Sequence, residues 1–336
     1  MKAKTTQTTH TKCLVTGATG FLGANLVHAL VEDGWDVRAF GLAGSETRYI
    51  RDLPIEIVLG DVTSESDIDR AVQGTEVVFH LAGDTGWWRR NFERQRRINV
   101  DGAVNVARAC RKHGVRRLVH TATVDALGYN PDGLATETWR LYNYGGTGYN
   151  YADTKREGER RVREFNGEGL DVVVIYPGSM IGPYDFTLQY GRLFFDLRDG
   201  KVPGCPPGGV SFGHVAAVAQ AHISAARSGR PGEGYICAGV NVTYKQLFQG
   251  IAGCFGKSAP RLVMPRPVFV AYGYAMEALS AVTGKPPEVD PGMARYMSVN
   301  AWYDSGKAVR ELGYEVVPLD AMIRDAYEWY RQNGFF

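Results

Sequence analysis

The stretch CLVTGATGFLGANL, residues 13–26, constrains the fold more than any other part of the chain. A short apolar strand runs into three glycines, Gly17, Gly20 and Gly23, and an apolar helical pattern follows at once. Strand, glycine turn and helix form the opening unit of a parallel sheet wrapped by helices. Glycines let the backbone turn sharply and let the helix lie close on the strand. The free N–H groups of a helix start make such a turn a seat for an anion such as a pyrophosphate. Taken alone, the turn is equally a tight connection that holds nothing.

The same rhythm continues. Candidate strands fall at 13–16, 36–41, 55–59, 76–81, 117–122 and 171–176, with helical stretches at 21–33, 65–73, 91–113 and 151–167 between them. Alternation of this kind predicts a doubly wound parallel α/β sheet. Thr63 or Ser64 is placed to cap the helix that carries Glu65 and Asp67 in its first turn. After about 178 the pattern breaks into Pro- and Gly-rich loops, then helices at 214–227, 243–256 and 268–282 and a terminal amphipathic helix stopped near Gly334. The expected division is a flexible tail at 1–11, a nucleotide-binding domain at 12–177, and a smaller α+β lobe at 178–336, parts of which return to the first domain.

With 336 residues and 44% hydrophobic content, the chain can bury a sizeable core. Its 38 basic and 36 acidic residues leave a net charge of +2, so nothing calls for nucleic acid or an anionic membrane. Five scattered cysteines and a polar start without an apolar signal region predict a reduced, cytoplasmic protein. VFVAYGYAMEALSAV at 268–282 is short for a membrane span and contains Glu277. It reads as a buried or groove-lining helix, with a peripheral lipid-facing helix as the alternative. None of the seven histidines has metal-ligand spacing; His80 and His214 read as structural, and no metal is expected.

In YADTK, Tyr151 and Lys155 stand four residues apart and share a helix face. An ammonium beside a phenol favours the phenolate, which would let Tyr151 move a proton near neutral pH. RLVHTATVDALG reads as a strand that ends in small hydroxyl residues.

Together these features resemble the short-chain dehydrogenase/reductase superfamily. The T-G-x-x-G-x-x-G turn from Thr16 to Gly23 is similar to that of the extended branch, the NAD-dependent epimerase/dehydratase superfamily. Among its members, dihydroflavonol reductase-like and hopanoid-associated epimerase-like chains are the nearest in pattern. GDV at 60–62, FHLAG at 79–83, INVDGAVNVARAC at 98–110, YPGSMIGP at 176–183 and ELGYEV at 311–316 fit in order. The resemblance implies a Rossmann-type sheet with a smaller C-terminal substrate lobe. It implies cofactor contacts from Gly17, Thr19, Gly20, Phe21, Leu22, Gly23, Asp61, Val62, Leu81, Ala82, Gly83, Thr121, Tyr151, Lys155, Pro177 and Met180. Thr123, five residues before Gly128, would orient the substrate oxygen, Tyr151 would handle its proton, Lys155 would hold the cofactor ribose and lower the Tyr151 pKa, and Asn99 would relay protons.

Three places depart from the family pattern. The arginine that often meets the 2′-phosphate of NADP is replaced by Leu42, although Arg38, Ser45 or Arg48 could serve. No carboxylate ends this strand, so NADP(H) is expected over NAD(H). HVAAVA has Ala216 and Ala217 where relatives carry aspartates, so a helix cap is expected to be missing. Asp125 stands where relatives carry a small or apolar residue, and either contacts substrate or satisfies a loop.

The segment 83–100 offers Trp87, Trp88 and Phe92 with Arg89, Arg90, Arg94, Arg96 and Arg97, either a substrate rim or a solvated face. LYNYGGTGYNY at 141–151 reads as a mobile lid whose Tyr142, Tyr144 and Tyr149 line a pocket. Trp88, Asp125, Tyr149 and Ser179 are the expected substrate contacts. The expected activity is NAD(P)H-dependent reduction of a small, ring-containing or hydrophobic ketone, or oxidation of the matching alcohol. A nucleotide-sugar epimerase or dehydratase using NAD is the first rival, and a non-catalytic NAD(P)-sensing protein the second. A homodimer through the helices at 91–113 and 151–167 is the expected assembly.

Overall fold

The computed structural model describes residues 11–336, so the tail expected at 1–11 lies, apart from Thr11, outside the described residues. Nine elements build the first half of the main sheet: β1 (Lys12–Thr16), α1 (Phe21–Glu32), β2 (Asp36–Gly41), β3 (Glu56–Leu59), α2 (Glu65–Val72), β4 (Val77–His80), α3 (Phe92–Arg96), α4 (Ala103–Lys112) and β5 (Arg117–Thr121). Then come α5 (Asn150–Arg163), β6 (Asp171–Pro177), β7 (Ser179–Ile181), α6 (Gly191–Arg198), β8 (Gly209–His214), α7 (Val215–Ser228), β9 (Gly234–Cys237) and β10 (Val240–Thr243). The chain closes with α8 (Tyr244–Gly253), α9 (Arg266–Thr283), α10 (Pro291–Tyr296), β11 (Asn300–Ala301), α11 (Gly306–Leu312) and α12 (Leu319–Gln332).

Seven parallel strands form the main sheet in the order β3-β2-β1-β4-β5-β6-β9. The order reverses between β1 and β4, which opens a crevice at the carboxyl ends of the strands. Both faces are covered, and β4 and β5 are buried along their whole length. One core lies between the sheet and α2, α4 and α5, and the other lies between the sheet and α1 and α7. A second, mixed sheet joins β8 to β7 and β11 in parallel and to β10 antiparallel.

Local chemistry explains most of these boundaries. Ser64 caps α2 by accepting from the Asp67 N–H. The cap expected to be missing from the 214–227 helix is present: His214 Nδ1 accepts from the Ala216 N–H at 3.3 Å. Thr243 and Gln246 form a capping box on α8.

The helix expected at 91–113 is present over Phe92–Lys112, but it is not α-helical throughout. Between α3 and α4 the backbone widens into a π-helical turn, Arg97–Gly102, that carries Asn99. Here α5 comes close, and a Cβ at Gly158 would lie 2.0 Å from the Asn99 carbonyl oxygen. The expectation for 268–282 also needs correction. Of the eighteen residues of α9, only Phe269, Gly273 and Ser280 are buried. Among the described residues, no helix is long and apolar enough to cross a membrane.

Gly158→Ala tests the helix approach. Backbone on both sides prevents relief, so unfolding in urea should show a loss of about 1–3 kcal/mol. An unchanged midpoint would mean that α5 and the π turn are not so tightly joined.

Candidate active site

The crevice at the strand ends is a cleft of about 470 Å³. Its floor is the turn between β1 and α1. Gly17 adopts φ +70°, and a Cβ there would stand 2.8 Å from the Ala82 N; at Gly23 it would stand 2.0 Å from the Gly17 carbonyl. Only glycine permits this closure. The start of α1 has no side-chain cap and no acidic residue in its first turn, so its N–H groups and its partial positive charge face the cleft uncompensated.

The cleft brings together nearly all the residues expected at the cofactor. Gly17, Thr19, Gly20, Phe21, Leu22, Gly23, Asp61, Val62, Leu81, Ala82, Gly83, Thr121, Tyr151, Lys155, Pro177 and Met180 line it, and so does Thr123. Arg38 does not. Its guanidinium bonds Glu56 at 2.8 Å and the carbonyls of Ala71 and Gln73 at 2.6 and 2.8 Å, so it is held in the wall behind β2. Arg48 is paired with Glu46 instead of lining the cleft. The end of β2 contributes Gly41, Leu42 and Ser45 to the lining, with no carboxylate.

At the other end, Thr123, Tyr151 and Lys155 converge. Lys155 is buried, and its ammonium donates to the Thr121 carbonyl at 2.6 Å. Burial brings its pKa down to about 8. Burial first, and then the Asp125 carboxylate, push the Tyr151 hydroxyl above its ordinary value, while a hydrogen bond with Thr123 pulls the other way. The expected lowering by Lys155 is therefore absent here; the ammonium is turned towards Thr121.

Asn99 ties the site to its surroundings. Its Oδ1 accepts from the Asp84 N–H at 2.8 Å, and its Nδ2 donates to the Asp84 carbonyl and to Thr154 Oγ1, both at 3.0 Å. It is buried and is not among the lining residues. His80 is structural in the same sense: Nδ1 meets Thr16 Oγ1 at 2.7 Å, and burial pulls its pKa down to about 3.

The four expected substrate contacts all lie off the cleft lining. Ser179 accepts from the Tyr190 hydroxyl at 2.7 Å. Trp88 packs under the Arg90 guanidinium, and it is Trp87 that stacks on Tyr149, with centroids 4.4 Å apart. Tyr144 and Tyr149 are buried, and Tyr142 donates to Asp153. Of the five arginines at 89–97, Arg94 alone is among the lining residues, fixed to Asp84 at 2.7 Å; the side chain of Arg89 lies outside the described residues. Arg94, one of the arginines offered as a substrate rim, thus lines the cleft, whereas Asp84 and Gln189 are lining residues that the sequence reading missed. No motif marks them, because each reaches the cleft only through the folding of a loop.

Asp125 sits in a short 3-10 turn, Val124–Ala126, and not on the strand. Tyr149 donates to its Oδ2 at 2.7 Å and Thr123 Oγ1 lies 3.4 Å from the same oxygen. Its other oxygen is buried with no hydrogen-bond partner. Desolvation pushes this carboxyl up to about 6, against those hydrogen bonds.

The crevice, the uncapped helix start and the hydroxyl–ammonium group beside it define a dinucleotide-binding enzyme of the Rossmann type. Residues 13–238 match the model of the NAD dependent epimerase/dehydratase family, and the chain belongs to that family. It is an NAD(P)-dependent enzyme of the extended short-chain dehydrogenase/reductase class. The chain is similar to sterol demethylase protein B of Methylococcus capsulatus, 32% identical over 96% of this chain and 98% of that protein. Ceramide reductase of Caulobacter vibrioides is 30% identical over 96% and 95%. The crystal structure of PA4631, a nucleoside-diphosphate-sugar epimerase from Pseudomonas aeruginosa, shares the fold at a TM-score of 0.78 and 24% identity, over 97% and 99% of the two chains.

The position of Asp125 generates a pH prediction. A buried carboxyl with a raised pKa favours the folded state while it is protonated. That contribution is lost as pH rises from its ordinary value near 3.8 through about 6. Asp125→Asn should therefore gain thermal stability relative to the parent as pH rises across this window. A difference in Tm that does not change with pH would show that Asp125 does not titrate there.

Proposed function

We propose that the chain reduces a hydrophobic ketone, or oxidises the matching alcohol, with Thr123, Tyr151 and Lys155 as its catalytic group. One observation carries the substrate class. Among the described residues that line the cleft, the only cations are Arg94, already fixed to Asp84, and Lys155. The part of a substrate that reaches Thr123 and Tyr151 would thus meet no cation free to pair with a phosphate, which suits an uncharged, apolar ketone. The similarity to sterol demethylase protein B and to a ceramide reductase supports an apolar substrate.

The glycine turn, Asp61 and Lys155 would hold the dinucleotide, which supplies the hydride when bound. Thr123 and Tyr151 place two hydroxyl donors where a carbonyl oxygen can be met. As negative charge builds on that oxygen, Tyr151 gives it a proton. Its raised pKa keeps the hydroxyl protonated at neutral pH, which suits the direction of reduction. Lys155 stays mostly charged at pH 7 and balances the developing charge. Asn99 holds α5 and the Asp84 loop in register, and its relay role belongs to this reading. NADP(H) is the preferred cofactor on the narrower ground that the end of β2 offers Leu42 and Ser45 and no acid. A homodimer through 91–113 and 151–167 belongs to the same reading, and sedimentation equilibrium tests it.

The first measurement is titration with NADPH and NADH, followed by turnover of hydrophobic ketones. Tyr151→Phe should bind NADPH as the parent does and lose about 10²–10⁴ in kcat. Near-normal turnover would remove Tyr151 from the chemistry. Protein that carries NAD through purification and oxidises neither cofactor with any ketone would overturn the reductase reading in favour of an epimerase.

A removal of charge gives a second test. Asp125 raises the Tyr151 pKa, so Asp125→Asn should move the acid limb of alcohol oxidation to lower pH. An unmoved limb would mean that the two groups do not interact.

A further inference from the structure

We propose that the outward face of α9 seats on an anionic lipid bilayer surface, against the elements that hold the loop leading to Tyr151; this rests on the hydrophobic-substrate reading above. The polarity of α9 is inverted for a surface helix. Past Arg266, every exposed position of α9 is uncharged. Val268, Ala271, Ala275, Ala278, Leu279 and Val282 recur at spacings of three and four and form one stripe. Val268, Leu279 and Val282 are 54, 52 and 86% exposed. Just before the helix, Leu262 and Val263 are exposed as well. A contiguous apolar face of this kind marks an interaction site.

The chemistry of its border selects the occupant. Arg261 and Lys285 stand exposed beyond the two ends of the helix and Arg266 is exposed at its first residue, against the exposed Glu288 and the half-buried Glu277 along residues 257–288. An apolar stripe with cations at its ends is the pattern of a helix lying in the headgroup plane, where long basic side chains reach the phosphates. The helix falls short of spanning, so it lies on the bilayer. The near-neutral total charge of the chain conceals this, because the charges that matter are local.

Position gives the face a purpose. α9 packs on α10, and a Cβ at Gly273 would stand 3.0 Å from the Asp290 carbonyl oxygen. Arg295 of α10 donates to the Thr147 carbonyl at 2.9 Å and to the Tyr274 hydroxyl. It thus fastens the 141–151 loop to α9. The same loop ends at Tyr149 and Tyr151, and Tyr296 of α10 packs on Tyr149 with centroids 5.2 Å apart. A bilayer seated on α9 would thus lie against the elements that hold the loop leading to Tyr151.

The experiment is flotation of the full chain with vesicles of phosphatidylcholine alone, or mixed with phosphatidylglycerol, with no substrate present. The parent should float with the mixed vesicles and less with the neutral ones. Val268→Glu with Leu279→Glu and Val282→Glu should partition at least about tenfold less while keeping its Tm and its NADPH affinity. Arg261→Gln with Arg266→Gln and Lys285→Gln should lose the preference for anionic vesicles. A parent that stays in solution with both vesicles, or a triple Glu variant that floats as well as the parent, overturns the proposal. So does a dimer, seen by sedimentation equilibrium, that the triple Glu variant dissolves, since a second copy would then cover the face. Vesicle binding is read without turnover, so failure of the ketone assay leaves this result independent.

Discussion

The backbone contact between α5 and the π-helical turn at Arg97–Gly102 is the constraint on which the site depends. Gly158 lets the two backbones meet at the Asn99 carbonyl. Asn99 then spends its amide on both sides, clamping the Asp84 peptide and the Thr154 hydroxyl. Thr154 precedes Lys155, so the same clamp fixes the register of the helix that carries Tyr151 and Lys155. Asp84 in turn anchors Arg94 on the opposite wall. An ordinary α-helical turn would carry its carbonyls along the axis; the wider π turn is a common way for a helix to give up regularity at a functional site. The chemistry of this cleft is therefore set by packing between helices as much as by the strand ends.

Burial then decides how each polar group behaves. Lys155 is buried and Tyr151 half-buried at the cleft wall, and both shift towards their neutral forms. Asp125 shifts the same way, although Tyr149 and Thr123 donate to it. Three ionisable groups within one apolar pocket cannot all be charged at low cost. Burial favours the proton on Tyr151, and a pKa of about 8 still leaves Lys155 mostly charged at pH 7; the two together suit the proposed reduction, in which negative charge would build on a substrate oxygen. An ionised Asp125 raises the Tyr151 pKa further and so favours the proton on that hydroxyl.

Features set by neighbours in sequence were legible before the fold. The turn from Thr16 to Gly23, the Tyr151–Lys155 pair and the run into Thr123 are local patterns, and the cleft gathers them. β9 was missed, because GYIC becomes a strand only by pairing with β6, more than fifty residues upstream. β7 and β8 were hidden in Gly- and Pro-rich sequence that reads as loop. Arg38 was misplaced for the same reason: its strand position was right, but Glu56 on β3 and the end of α2 compete for its guanidinium. Trp87 and Trp88 are adjacent in sequence, and only the arrangement of the 141–151 loop shows which of them meets Tyr149.

The apolar helix shows the limit of such reading most clearly. Composition told that 268–282 must avoid water, and burial was the economical inference. The fold buries one narrow edge, Phe269, Gly273 and Ser280, against α10, and leaves the broad face outside. Gly273 is what makes the edge so narrow, since without a side chain the helix backbone seats directly on the start of α10. A helix held by its thin side can carry a wide apolar face only if something other than its own protein covers it. Because the holding element is α10, which also grips the loop leading to Tyr151, whatever covers that face bears mechanically on that loop.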